Sequence, residues 1–432
     1  RSMKRFNELA KSLECGYVSS NARDEKGKLI FPAYKILSYG KTKVAFVGVS
    51  TPENITKSTP SIFKNADGKF IYSFGGDNNG EVMFADVQNA INEARKKGAD
   101  YVVLLAHLGE KDVEPAWSAM SLVANTSGAD ILIDGHSHEI TQSLVVNNKE
   151  GKPVTITQTG TKLNNIGKLT IKTDGTLNVE LINSVPQKDG VSVDLEIKKL
   201  IDSVNEKFVA YLGKKVGESD FALLATDEAG KWLVRNRETN LSDLVADAFR
   251  NAYKTDISVV NGGGIRKNVN AGDITYGDVF NLQPFGNRLC VCEISGQAIL
   301  DELEFGMRLY PQMCGGMLHV SGITYKVNSA IPSSAKTDKN SFFAGIEGEY
   351  RVHDVMVNGE PLDVNKTYTV AGTAYVLKEN GDGHLFKDAK VLPRDEYMFD
   401  RDAVASYIDS LGGKIPETYR NENGQGRIIF EQ

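Results

Sequence analysis

Asp100-Tyr101-Val102-Val103-Leu104-Leu105-Ala106-His107 decides how the first half of this chain is read. A short, continuous apolar run of this kind is the pattern of a strand buried on both faces, as in a parallel sheet. Its last residue is a histidine, placed where strand gives way to loop. Ile131-Leu132-Ile133 repeats the arrangement, running into Asp134-Gly135-His136-Ser137-His138-Glu139. Further strands are predicted over 43–49, 153–159 and 178–185. Between the first two strands the spacing predicts a helix over 86–97, with Val87, Ala90, Ile91 and Ala94 on one face. Strand, helix, strand is the signature of an α/β layer. In such sheets functional groups gather where strands end and loops begin.

The chain has only six histidines, and three fall at these strand ends: His107, His136 and His138. A neutral imidazole is a good ligand for Zn²⁺, Mn²⁺ and related metals. Two histidines two apart in a turn can present both rings to one small volume, and a third at the end of a neighbouring strand can close the site. A lone histidine would be read as a core or surface residue; this cluster reads as a metal site. His319, His353 and His384 show no such clustering and read as structural or solvated, although His384 adjoins a loop described below. Two-metal phosphatase sites usually add Asp, Asn or a bridging carboxylate. Asp134 is close in sequence, where it can instead orient a ligand.

The second half is again mixed. A long helical stretch over 193–212 reads as a linker, with the domain boundary near residue 195. The expected domains are 1–192, a linker helix 193–213, and 214–432. Asn240–Tyr253 reads as a strong helix with Asn240 as its N-cap. A strand over 257–260 runs straight into Asn261-Gly262-Gly263-Gly264-Ile265-Arg266. Glycines let backbone N–H groups approach an anion, and arginine adds a fork-shaped cation suited to phosphate or carboxylate. A Gly triplet is by itself a common structural turn. Two further loops raise its value. Gln283-Pro284-Phe285-Gly286-Asn287 carries an aromatic that no core requires, and Ala371-Gly372-Thr373-Ala374-Tyr375 leads to Glu379-Asn380-Gly381-Asp382-Gly383. Two aromatics can sandwich a planar base, and a carboxylate such as Asp382 can accept hydrogen bonds from ribose hydroxyls.

Composition excludes other classes. With 432 residues, 41% hydrophobic and 25% charged, the chain suits two ordinary globular domains. No apolar run approaches the ~20 residues that span a bilayer, and no apolar leader follows Arg1-Ser2-Met3-Lys4-Arg5. The net charge of −6 has no basic block, which argues against a nucleic-acid polymer as partner; phosphate must be held by a few placed arginines. Cys15, Cys290, Cys292 and Cys314 match no zinc spacing. They read as buried free thiols, with a disulfide involving Cys314 as the alternative.

Taken in order, these segments resemble the 5′-nucleotidase family of UDP-sugar hydrolases and ecto-5′-nucleotidases. The resemblance also covers Phe6-Asn7-Glu8-Leu9-Ala10, Tyr17 to Ala22, Thr275 to Val279, Gly315-Gly316 and Val320-Ser321-Gly322. It implies a partial calcineurin-like metallophosphatase four-layer sandwich followed by a 5′-nucleotidase C-terminal α/β domain. It implies two divalent metal ions (Zn, Mn, Co or Mg), with His107, His136 and His138 as ligands. It implies phosphate binding by Arg235 and Arg266, base and ribose contacts from Asn261 and Asp382, and base stacking by Phe285 and Tyr375. The implied reaction is hydrolysis of nucleoside 5′-monophosphates; UDP-sugars, NAD or cyclic nucleotides are alternative substrates, and a non-catalytic nucleotide-binding chain is a third reading. The implied location is periplasmic, cell-wall-attached or extracellular. The family's earlier motifs, including the catalytic histidine, are expected upstream of Arg1, so the sequence is expected to be a fragment of a larger gene product or to have an unrecorded N-terminal piece.

Overall fold

The computed structural model describes residues 3–65, 67, 69–77, 79–110, 113–184, 193–387, 389–393 and 397–431. The chain divides into two compact units, Arg1–Val191 and Ser192–Gln432.

In the first unit a six-stranded sheet runs in the order Tyr34–Tyr39, Thr42–Ser50, Tyr101–His107, Ile131–Asp134, Pro153–Thr159, Ile140–Asn147. The four inner strands are parallel and the two edge strands antiparallel. The parallel strands read as apolar runs because both faces are covered. Val47, Val102, Leu104 and Leu132 pack against Met83, Val87 and Ile91 of the Glu81–Lys96 helix and Leu122 of Ala119–Asn125. On the other face Val44, Val103 and Ile131 meet Leu169, Ile171, Leu177 and Val179 of a hairpin, Asn165–Ile171 with Leu177–Asn183. The expected strand over 178–185 is the second arm of that hairpin; its last residue, Val185, lies outside the described residues. The helix expected over 86–97 begins earlier, at Glu81, behind Gly80 at φ 86°.

The second unit holds a five-stranded sheet in the order Leu318–Ser321, Ile257–Asn261, Thr367–Thr373, Leu289–Ser295, Lys390–Val391, and a four-stranded one. The Asn240–Tyr253 helix buries Leu241, Leu244, Val245, Ala248 and Phe249 against Val260, Leu282 and Val404. Its cap is Thr239, not Asn240. The Thr239 hydroxyl accepts from the Ser242 N–H, and the Ser242 hydroxyl accepts from the Thr239 N–H. Asn240 is spent on the preceding loop, accepting from Leu224 N and donating to Ala222 O. The helix read as a linker spans Leu195–Leu212 and leaves Leu200, Val204 and Phe208 exposed. Among the described residues no helix is long and apolar enough to cross a membrane. All four cysteines are free; three are buried, whereas Cys15 is exposed.

A buried carboxyl pair ties the end of the chain to this unit. Gln425 N donates to Glu238 Oε1 at 2.7 Å and to Asp243 Oδ2 at 2.8 Å, and Ile428 N donates to Glu238 Oε2 at 2.7 Å. Burial pushes the Asp243 carboxyl up to about 9, with Arg427 opposing and Glu238 adding to the rise. The folded state therefore binds this proton more tightly than the unfolded chain. The stability it contributes is present at low pH and is lost as pH rises from the ordinary carboxylate range through about 9. Melting followed from pH 6 to pH 9 should fall in the parent and fall less in Asp243→Asn, by roughly 4 °C or more across the window. Parallel curves would show that Asp243 is not the titrating group.

Candidate functional site

Three adjacent parallel strands of the first unit deliver side chains at one end. Thr42–Ser50 leads to Glu53, Tyr101–His107 ends on His107, and Ile131–Asp134 leads to His136. The His107 and His136 ring centroids are 5.0 Å apart, and His136 Nε2 lies 2.6 Å from the buried Glu53 Oε2. Asp134 accepts from Leu108 N at 2.8 Å and Gly109 N at 3.0 Å, fixing the loop that follows His107. His107 is itself part-exposed, but desolvation by its neighbours, with His136 beside it, lowers it to about 4, so its ring is neutral at pH 7 and its lone pair is available. His136 and His138 both sit in the left-handed region, at φ 84° and 65°. For non-glycine residues such conformations persist only where the surroundings impose them.

Of the three histidines predicted as ligands, the structure joins His107 and His136 directly. It places His138 in the same turn, two residues on from His136. Among the described residues no group of three or more His, Cys, Asp or Glu side chains is arranged to hold a metal ion. Two adjacent imidazoles, one of them tied to a carboxylate, are the donor chemistry that divalent cations take, so the residues present fit part of a ligand set. Glu53 was not legible as a functional residue; its only signal is its place just past a strand end.

The second unit gathers the other predicted residues. Ile257–Asn261 ends on Asn261, whose Nδ2 donates to Asp382 Oδ2 at 2.7 Å. Both are buried, and the contact joins loops 121 residues apart. The turn at Gly262 has room for no side chain, since a Cβ there would lie 1.9 Å from Val234 O. Gly263 N donates to Gly315 O at 2.7 Å, and Cys314 N donates to Arg235 O at 2.7 Å. The Gly262–Gly264 turn, the 314–316 segment and Arg235 are thus held by one backbone network.

Trp232 organises the cations. The Arg235 guanidinium lies 4.8 Å and that of Arg266 4.9 Å from its ring centroid. Arg266 also lies 5.7 Å from the Phe285 ring. Burial, reinforced by Arg235, lowers Arg266 to about 10, with Asp382 partly offsetting. Two like charges sharing one ring, one of them partly desolvated, make a site complementary to an anion. Tyr375 is placed by the Asp382 loop: its hydroxyl accepts from Asp382 N at 3.1 Å, and its ring lies so near Gly381 that a Cβ there would be 2.3 Å away. Phe285 is exposed. Trp232, one of two tryptophans, was missed; its position three residues before Arg235 was the available signal.

Comparison with known proteins adds to this geometry. Residues 215–389 match the family model described as the 5′-nucleotidase C-terminal domain. The chain is similar to the trifunctional nucleotide phosphoesterase protein YfkN of Bacillus subtilis, 28% identical over 415 residues, covering 91% of this chain and 25% of that protein. It is similar to a 5′-nucleotidase of Vibrio parahaemolyticus, 27% identical, covering 90% of this chain and 75% of that protein. In structure it resembles the 5′-nucleotidase precursor from Thermus thermophilus, with a TM-score of 0.76 and 26% identity, covering 96% of this chain and 78% of that one. The chain thus spans only about a quarter of the length of YfkN.

Proposed function

Because this chain belongs to the 5′-nucleotidase family, we propose that the gene product carrying it hydrolyses nucleoside 5′-monophosphates to nucleoside and inorganic phosphate. One observation supports this above the rest: Arg235 and Arg266 share the Trp232 ring within the same loop cluster as the Asn261–Asp382 pair. In this reading the two arginines hold the phosphate, Asp382 and Asn261 address the ribose and base, and Phe285 and Tyr375 stack the base. His107, His136 and His138 serve as ligands in the other unit. Divalent metal ions, when bound, supply polarisation of the phosphate and an acidified water. The imidazoles contribute ring-nitrogen lone pairs, and Glu53 orients the His136 ring. The same reading places the protein outside the cytoplasm, in periplasm, cell wall or extracellular space.

A wider substrate range is a second reading, favoured by the similarity to a phosphoesterase named trifunctional. Phosphate release from AMP, UDP-glucose, cyclic AMP, NAD and 4-nitrophenyl phosphate, measured on the product of the complete gene with Mn²⁺ or Zn²⁺, separates the two. Activity on none of them would sink the hydrolase reading.

Base stacking has its own test. Stacking one base on an aromatic is worth about 1–3 kcal/mol. Phe285→Ala should therefore raise KM for AMP roughly 5-fold or more and change hydrolysis of 4-nitrophenyl phosphate far less. Equal losses on both substrates would remove Phe285 from base recognition.

A further inference from the structure

We propose that a buried His384–Glu302 pair is the device that positions Asp382, making both of them positioning residues for the nucleoside; the proposal rests on the nucleotide reading above. Both side chains are inaccessible, at 0% and 1% exposure. His384 Nδ1 lies 2.6 Å from Glu302 Oε2, and His384 Nε2 lies 2.7 Å from Gly316 O. Each ring nitrogen thus meets an oxygen, so the imidazole is fixed from both sides, by the Glu302 carboxyl group and by the Gly316 backbone. Glu302 Oε1 accepts from Leu385 N at 2.9 Å, so the Glu302 side chain holds both the ring and the backbone just after it.

What the pair fastens is an unfavourable turn. Asn380, Asp382 and Gly383 take φ of 62°, 56° and 83°, three left-handed residues within four. Asn, Asp and Gly each tolerate that region singly, but three such residues within one tight turn persist only where the surroundings over-determine them. Asp382 packs on Gly316: a Cβ at Gly316 would lie 3.1 Å from Asp382 Cβ and 3.4 Å from His384 Nε2. Asn380 Nδ2 closes the turn onto His384 O at 3.2 Å. The three partners come from different places: Glu302 from the Gly296–Gly306 helix, Gly316 from the 314–316 segment, and His384 from the end of the turn itself. Because Gly315 O accepts from Gly263 N at 2.7 Å, the same clamp sets the Asp382 turn against the Gly262–Gly264 turn. A merely structural hydrogen-bonded pair would serve as well anywhere in the core; this one reaches the two loops that meet at Asn261–Asp382.

The test compares the full chain with His384→Phe and Glu302→Gln. Calorimetry measures binding of AMP and, separately, of inorganic phosphate. Hydrogen exchange reads the 380–384 turn. The clamp predicts that AMP affinity falls about tenfold or more, as for displaced binding groups, while phosphate affinity changes less than about twofold. It also predicts faster exchange in the turn. Glu302→Gln keeps the side-chain volume and one acceptor, and carries the test should His384→Phe fail to fold. A folded variant that binds AMP as tightly as the parent overturns the clamp alone. A parent that binds neither AMP nor phosphate overturns the nucleotide reading, and the purpose assigned to the clamp with it.

Discussion

Arg266→Ala is expected to lower kcat/KM for AMP by about 100-fold or more, the loss typical when one preorganised donor to a charged reacting group is removed. The physical case rests on what the fold tolerates without a ligand. Arg266 is half-buried, is lowered to about 10 by desolvation and by Arg235, and shares the Trp232 ring with its neighbour. Folding has brought two cations together against their repulsion, which an incoming phosphate would relieve. Two further outcomes follow. Arg266→Lys should recover little, since an ammonium neither forks nor stacks as a guanidinium does. The melting temperature of Arg266→Ala should be unchanged or higher than the parent's, because a repulsive, partly desolvated charge is gone. Kinetics and melting on the same preparation check both. A loss of less than about threefold in kcat/KM would remove Arg266 from phosphate binding.

The residues that were legible are those whose signal is local. Tyr101–His107 could be read because a parallel strand buried on both faces needs an uninterrupted apolar run, and the histidine at its end breaks that run visibly. The glycine turn after Ile257–Asn261 could be read because no other residue fits it. What escaped depends on partners distant in sequence. Glu53 acquires meaning only by meeting His136, 83 residues on, and His384 only by meeting Glu302, 82 residues before. Both carboxylates look ordinary in sequence. The cap of the Asn240–Tyr253 helix was misplaced by one residue for a related reason. Thr and Asn are both good caps, and only the demand of Leu224 N and Ala222 O for the Asn240 amide decides between them.

The same interdependence sets the last expectation, which concerns the imidazole pair. His136→Ala should abolish measurable uptake of Mn²⁺ or Zn²⁺ at its position, and Glu53→Gln should weaken it by about 10–100-fold, the range found when the group orienting a metal-bound histidine is removed. The difference between the two variants carries the weight. If Glu53 and His136 formed only a buried ion pair, removing either partner would strand the other and both variants would lose stability alike, with or without metal. If instead Glu53 holds the His136 ring at 2.6 Å and so keeps it 5.0 Å from the neutral His107 ring, the variants separate. Glu53→Gln keeps a hydrogen-bond partner for the ring, so it should fold normally and be stabilised by metal only at higher concentration. His136→Ala should show no metal-dependent rise in melting temperature over the same range. Metal titrations followed by melting and by elemental analysis of the product of the complete gene make the comparison. Identical metal dependence in the parent and both variants would return the two histidines to the structural role that each would have alone.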